Sequence, residues 1–382
     1  GMRSVFDAIK GIDANRLASD ARKQARKIGK SLRESIDALP RDLGQWAGPL
    51  GDPDFRLPLE AVVAVDAGRT LRLRNPSGSI EVVGAEVPEC RIAATVDAWG
   101  PDVDALRAAA AAVVLDVQST DDGAVVSVQG PELARRLRCD LKVFVPVSGL
   151  KISAISPAGD IAIRAVQAQG IVLASVSGSL EVSECSGDVA TETASGSTAL
   201  QGIAGNVVAR STSGDIRGVR LHGEKVSVKT QSGDIHLDET GGAALELETV
   251  SGDIRAEAQS GRVSVRTVSG DVSVSGVVES RWDASLRTVS GRVALAFAGA
   301  DGGQVDVETV SGDSALRFVE AVSGSVDVRT RSGRVAGVLP GGTPLVGDVD
   351  SVVGAVHFGA GDGVTVAVRS LSGDIEANVV EP

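Results

Sequence analysis

From Gly159 to Gly373 a glycine returns every 18 to 21 residues, most often inside Ser-Gly-Asp or Ser-Gly-Arg. The row runs Gly159, Gly178, Gly196, Gly214, Gly233, Gly252, Gly270, Gly291, Gly312, Gly333, then Gly354 and Gly373. A second row lies midway, at Gly170, Gly187, Gly205, Gly223, Gly242 and Gly261, and resumes at Gly324, Gly341 and Gly361. A fixed period of this length marks stacked supersecondary units, each unable to bury its apolar face alone. The expected fold is mainly β: a parallel β-solenoid (β-helix) of about 19-residue coils with two corners each.

The stretches between corners alternate with period two. Counting back from each first-row Ser, positions −6 and −4 are apolar, as in Val226/Val228, Leu245/Leu247, Val263/Val265, Val305/Val307 and Val366/Val368. Position −2 is Thr or Ser, and position −3 is mostly charged. Strand alternation places −6, −4 and −2 on one face and −3 on the other. The Val/Leu column must face inward, so the Thr/Ser column is expected inside and the charged column in water. Glycine at the corners permits backbone conformations closed to other residues. The flanking Ser and Asp are expected to bond nearby corner amides.

The 43% apolar content can build a core, but aromatics are only 2% and Tyr is absent. Val, Ile, Leu and Ala suit thin, closely stacked layers. The net charge of −12 is unevenly divided. Residues 1–41 carry ten Lys/Arg against five Asp/Glu, a balance of +5, and the remainder carries −17. A body this acidic repels a phosphate backbone, so no nucleic-acid partner is expected.

Four segments are expected. Residues 1–40 form an amphipathic basic helix, its apolar stripe running through Leu17, Ala21, Ala25, Ile28, Leu32, Ile36 and Leu39. Arg22, Lys23, Arg26, Lys27, Lys30 and Arg33 crowd its other side, the candidate contact for a partner or an anionic membrane. Residues 41–58 are a Pro/Gly-rich linker, 59–155 a small β-rich cap domain, and 156–382 the repeat array. Within the cap domain, "TLRLRNPSGSIEVVG" reads as a hairpin around Asn75–Gly78, and "DALRAAAAA" as a short helix. The chain ends part-way through a coil, at "SGDIEANVVEP". Its last strands are expected to be buried in self-association, or folded over by a loop such as "VLPGGTPLVGDVD".

Three stretches resemble the DUF4097-type family of "putative adhesin" β-strand-repeat proteins: "TLRLRNPSGSIEVVG", "LKVFVPVSGLKISAISPAGDIAI" and the recurring "VSGDI/VSGDV". The resemblance covers about residues 59–380 and implies a β-solenoid without known enzymatic activity.

The residues point to no catalytic, cofactor or metal site. Calcium takes six to eight oxygens from several ligands, whereas each corner brings one carboxylate, replaced by Arg262, Arg292 and Arg334 at some corners. Cys90, Cys139 and Cys185 form no CxxC, and the three histidines are scattered. Neither a secretory signal nor an uninterrupted apolar span is read, so a cytoplasmic or membrane-peripheral location is expected. The expected function is a non-enzymatic scaffold or interaction protein. A cell-surface adhesin is one alternative. A polysaccharide-active β-helix enzyme is the other; it would need paired acids and an aromatic platform in a surface groove.

Overall fold

A computed structural model describes residues 51–130, 136–147, 149–277, 282–298, 302–319, 322–347, 352–358 and 363–380. The fold is mainly β and solenoid-like. The described residues fall into two compact units, 51–214 and 215–380.

In the first unit, successive repeats pair in parallel, Ile161 with Leu180 and Leu180 with Thr198 on one face, Ile171 with Val189 and Val189 with Val207 on another. The order then departs from the chain. Thr70–Arg74 and Ile80–Ala85 lie between residues 151–164 on one side and residues 123–146 on the other, parallel to both. Beyond 123–146 the pairing reverses. Val114–Thr120 and Cys90–Ala98 run antiparallel to it, and Phe55–Val63 adds antiparallel to Cys90–Ala98. Helix Val103–Ala111 joins the two reversed strands; the Asp102 carboxylate accepts the Asp104 and Ala105 N–H groups and caps it. The chain from 59 to 155 therefore shares its sheets with the first repeats.

The expected hairpin at Asn75–Gly78 is corrected by this pairing. Thr70–Arg74 and Ile80–Ala85 meet at that corner without pairing each other. The corner is a repeat corner, and its Gly78 carbonyl packs on Gly159.

The second unit repeats this plan in its C-terminal strands. Ile216–Lys229, Ile235–Glu248 and Ile254–Arg266 stack in parallel, and the strands Val272–Val277, Asp283–Ser290, Val293–Ala298, Gly303–Ser311 and Ser314–Val319 continue the array. The next layer is the last stretch of the chain. Val364–Ser372 pairs with Gly303–Ser311 on one side and Gly324–Ser332 on the other. Ile375–Val380 likewise lies between Ser314–Val319 and Val335–Gly337. Outside these, Thr343–Gly347 and Val352–Phe358 return antiparallel. The last strands are thus paired on both sides, and Gly354 belongs to a reversed strand outside the glycine row. Covering each end with a reversed layer keeps the inserted layer's backbone groups bonded.

A third bend corrects the expected two-cornered coil. Ala165, Glu184 and Gly202 in the first unit, and Arg220 and Glu239 in the second, have φ between 50° and 60°. They step along at the repeat period and divide what alternation reads as one strand. Four of the five are not glycine, so composition does not mark them.

The inward columns are as alternation requires. Val226, Val228, Leu245, Leu247, Val263, Val265, Leu286, Val305, Val307, Val326, Val328, Val366 and Val368 are buried, and so are Thr249, Thr267, Thr288, Thr309, Thr330 and Ser370. In the second unit the few aromatics gather into one buried stack. Trp282 to Phe297, Phe297 to Phe318 and Phe318 to Phe358 are 5.5, 5.0 and 5.3 Å between ring centroids. Such pairs each add about 0.5–1.5 kcal/mol beyond the area they bury.

Candidate functional site

The Ser-Gly-Asp corners carry most of the chemistry-bearing residues, and their geometry shows how those residues are used. Within each unit, first-row glycines such as Gly178, Gly214, Gly252 and Gly312 sit against the carbonyl of the glycine one layer along. A Cβ on Gly178 or Gly196 would fall inside the oxygen of Gly159 or Gly178. The same holds for Gly252 on Gly233, Gly270 on Gly252, Gly291 on Gly270 and Gly312 on Gly291. At the end of the second unit the row runs Gly312, Gly373, Gly333, following the inserted layer. Close approach is therefore the general reason for glycine. A positive φ adds to it at positions such as Gly270 (144°) and Gly291 (143°).

The aspartates form a ladder. In the second unit the Asp215 carboxylate accepts the Asp234 N–H at 3.0 Å, Asp234 that of Asp253 at 2.8 Å, and Asp253 that of Asp271 at 2.8 Å. Asp271 accepts Arg292 N–H, Asp313 accepts Asp374 N–H, and Asp374 accepts Arg334 N–H. In the first unit Asp160 caps Ser179 N–H at 2.8 Å, and Asp140 caps both the N–H and the hydroxyl of Ser79. The acid bonds the next layer rather than its own corner. This explains why Arg or Ser may follow an Asp: the receiving layer need only offer an N–H.

The buried hydroxyls serve the corners as well. Ser156, Ser175, Thr193 and Ser211 each accept the N–H of the glycine three residues on, at 2.8–3.1 Å. In the second unit the Thr249 hydroxyl donates to the Gly233 carbonyl at 3.4 Å, a long contact. The hydroxyls of Thr267, Thr288, Thr309 and Ser370 are buried without a hydrogen-bond partner.

The charged column lies outside and pairs across layers. Lys229 meets Glu248 at 3.0 Å, Arg287 meets Glu308 at 3.0 Å, and Arg369 meets the same Glu308 at 3.1 Å. Beside it Lys225 meets Glu246 at 2.9 Å, and that hydrogen bond holds the Glu246 carboxyl below its ordinary range. His236 Nε2 lies 3.0 Å from Asp238.

The thiols are not poised for chemistry. Burial pushes Cys90 up to about 11, and burial reinforced by Asp140 pushes Cys139 up to about 12. Burial also raises Cys185. Among the described residues, no three His, Cys, Asp or Glu side chains come together as metal ligands, and no helix is long and apolar enough to cross a membrane. The candidate contact residues Arg22, Lys23, Arg26, Lys27, Lys30 and Arg33 lie outside the described residues.

The layer-to-layer aspartate bond, the feature sequence reasoning missed, has a local signal only in hindsight. Asp follows glycine where a layer must cap its neighbour, but which neighbour depends on the pairing order.

No curated protein matches the sequence. Among solved structures, the chain is similar to one from Parabacteroides distasonis described as a "putative lipid binding protein" (10% identity, 85% of this chain and 98% of that one, TM-score 0.35). It is also similar to a "putative adhesin" from Parabacteroides merdae (11% identity, 85% and 97%, TM-score 0.32). A third is a "putative cell adhesion protein" from Clostridium sporogenes (10% identity, 85% and 100%, TM-score 0.18). The family model described as Toastrack DUF4097 matches residues 159–333, the stretch that carries the glycine row and much of the aspartate ladder. Over those residues, just under half of the chain, the sequence is similar to the Toastrack DUF4097 family.

Proposed function

We propose that the protein is a non-enzymatic scaffold, a parallel β-solenoid of about 19-residue coils whose outer faces engage a protein partner. The observation that carries this reading is the commitment of the repeat's polar residues to its own architecture. The corner carboxylates bond backbone N–H groups of the next layer. In the first unit, buried Ser and Thr hydroxyls bond their corners. The aromatics of the second unit, which a sugar-binding groove on that part of the array would have to present, are buried, with Trp282 and Phe318 at 0% exposure and Phe297 and Phe358 at 2%. This weighs against a polysaccharide-active enzyme.

The basic segment Arg22–Arg33 is the second part of the proposal, a contact for a partner or an anionic membrane at the cytoplasmic face. Fractionating native cells into cytosol, membrane and surface tests it, together with sedimentation of the full chain with anionic and neutral vesicles. Recovery from cytosol or membrane supports the scaffold reading. Recovery from the outer surface supports an adhesin instead.

A further inference from the structure

The reversed strands of the first unit end its sheets unevenly. Past Leu137–Pro146 come two, Cys90–Ala98 and then Phe55–Val63. Past Gly123–Gln129 comes one, Val114–Thr120, and among the described residues it pairs with nothing else. Counted outward by layers, a strand added beside Val114–Thr120 is the counterpart of Phe55–Val63.

The other reversed strands carry defences against such an addition. Phe55–Val63 has Pro58 and the charged Arg56 and Glu60. Thr343–Gly347 is five residues long and has Pro344. Val352–Phe358 pairs through a register shift. Proline, charge, shortness and irregular pairing are the usual means of keeping an edge from joining another chain. Val114–Thr120 has seven residues, no proline and one charge, Asp116.

Its backbone is turned the right way. The Thr70 N–H takes the Asp122 carbonyl. By alternation Gly123, Val125, Ser127 and Gln129 then turn their backbone groups toward Val114–Thr120, where Thr120, Gln118, Asp116 and Val114 stand opposite. Leu115, Val117 and Ser119 are left with their N–H and C=O groups pointing out of the sheet. Their side chains lie in register with the buried Val128, Val126 and Ala124. The inward row is thus apolar at this edge, and Val117 is still 37% exposed.

Charge selects the occupant. Residues 114–129 carry Asp116, Asp121 and Asp122 and no Lys or Arg, a balance of −3. Asp122 meets Arg72 at 2.6 Å. Asp116 is held by the neutral amides of Gln118 and Gln129, at 2.7 and 2.9 Å. A second copy would bring the same acids to the same place, which like-charge repulsion disfavours.

We propose that the Val114–Thr120 edge takes up an extended segment of a protein partner as a further strand, one in which Val- or Thr-like residues alternate with Lys or Arg. The apolar residues continue the row of Leu115 and Val117, the basic ones lie on the side of Asp116, and the main chain bonds the three outward residues. This gives the scaffold reading a partner class and rests on it. Should the edge fail while fractionation recovers the protein from cytosol or membrane, that reading stands without this site.

Hydrogen exchange of the full chain, read residue by residue, tests the edge. The probe is a nine-residue peptide alternating Lys with Val and Thr. Without it the Leu115, Val117 and Ser119 amides should exchange fast, at a rate independent of protein concentration. Near saturation they should slow at least about tenfold. The same peptide with Glu for Lys, or N-methylated along its pairing edge, should leave them unchanged. Val117→Pro and Ser119→Pro each remove an outward N–H while sparing the bonds to Gly123–Gln129. Either should weaken binding of the Lys peptide at least about tenfold by fluorescence anisotropy. Asp116→Asn with Asp121→Asn should narrow the gap between the Lys and Glu peptides. No slowing with the Lys peptide, or equal slowing with the Glu peptide, would overturn the proposal. So would protection already present in the free protein, which would mean a covered edge, or protection that rises with protein concentration, which would assign the edge to a second copy.

Discussion

The Asp374 carboxylate accepts the Arg334 N–H at 2.8 Å, although Arg334 comes 40 residues earlier in the chain. On the opposite side the Asp374 N–H is held by Asp313, 61 residues earlier. One residue of the last stretch therefore bonds two earlier layers at once. The order of the ladder is Asp313, Asp374, Arg334, and it closes at the residue that has no carboxylate to offer. Were the layers stacked in chain order, Arg334 would follow Asp313 and leave the next layer uncapped.

The glycine row separates two kinds of glycine. Gly270→Ala should destabilise the protein by more than about 2 kcal/mol, because the new methyl meets the Gly252 carbonyl and the backbone is left-handed. Gly341→Ala should cost only about 1 kcal/mol, since its φ is 77° but nothing lies within 4 Å. Denaturant melts of the two variants check the difference. Equal losses would count against close approach as the reason for the row.

Removing one ladder acid should have a smaller effect. Asp253→Ala deletes an exposed charge-assisted bond to the Asp271 N–H and is expected to cost about 1 kcal/mol. Asp253→Asn retains an accepting oxygen and should recover about half of that loss. Thermal melts at low and high salt measure both.

Calcium should not bind the corners usefully. Each first-row carboxylate is already engaged by an N–H, and Arg292 and Arg334 occupy corner positions in the row. Millimolar calcium or a chelator is expected to leave the melting temperature unchanged. A rise of several degrees with calcium would require these aspartates to serve as ligands.

The three thiols should resist alkylation in the folded protein. Cys90 and Cys139 are fully buried and pushed up to about 11 and 12. Labelling with a thiol reagent should stay negligible from neutral pH to about pH 9, and all three should react after denaturation. Mass spectrometry reads the number of labels directly.

What could be read in advance follows from how local each signal is. The Val/Leu and Thr columns alternate within single strands, so Val263, Val265 and Thr267 show their inward face without reference to a partner. The left-handed bends at Glu184, Arg220 and Glu239 leave no such mark, because side chains unsuited to that conformation occupy them. The insertion of 70–85 and 364–380 is hidden for a different reason. A parallel layer looks the same whichever neighbour it joins, and Gly78 stands too far before Gly159 for the period to include it.

The layer order itself can be measured with paired cysteines. Ser372 is in register with Ser311 on one side and Ser332 on the other, and all three are exposed. Neighbouring parallel strands put such residues about 5 Å apart, within disulfide reach, while Ser311 and Ser332 would be about 10 Å apart. The account predicts that Ser311→Cys with Ser372→Cys, and Ser332→Cys with Ser372→Cys, oxidise readily in the folded protein. Ser311→Cys with Ser332→Cys should stay reduced. Ready formation of the Ser311–Ser332 link, with none to Ser372, would show layers stacked in chain order and contradict the inserted last layer.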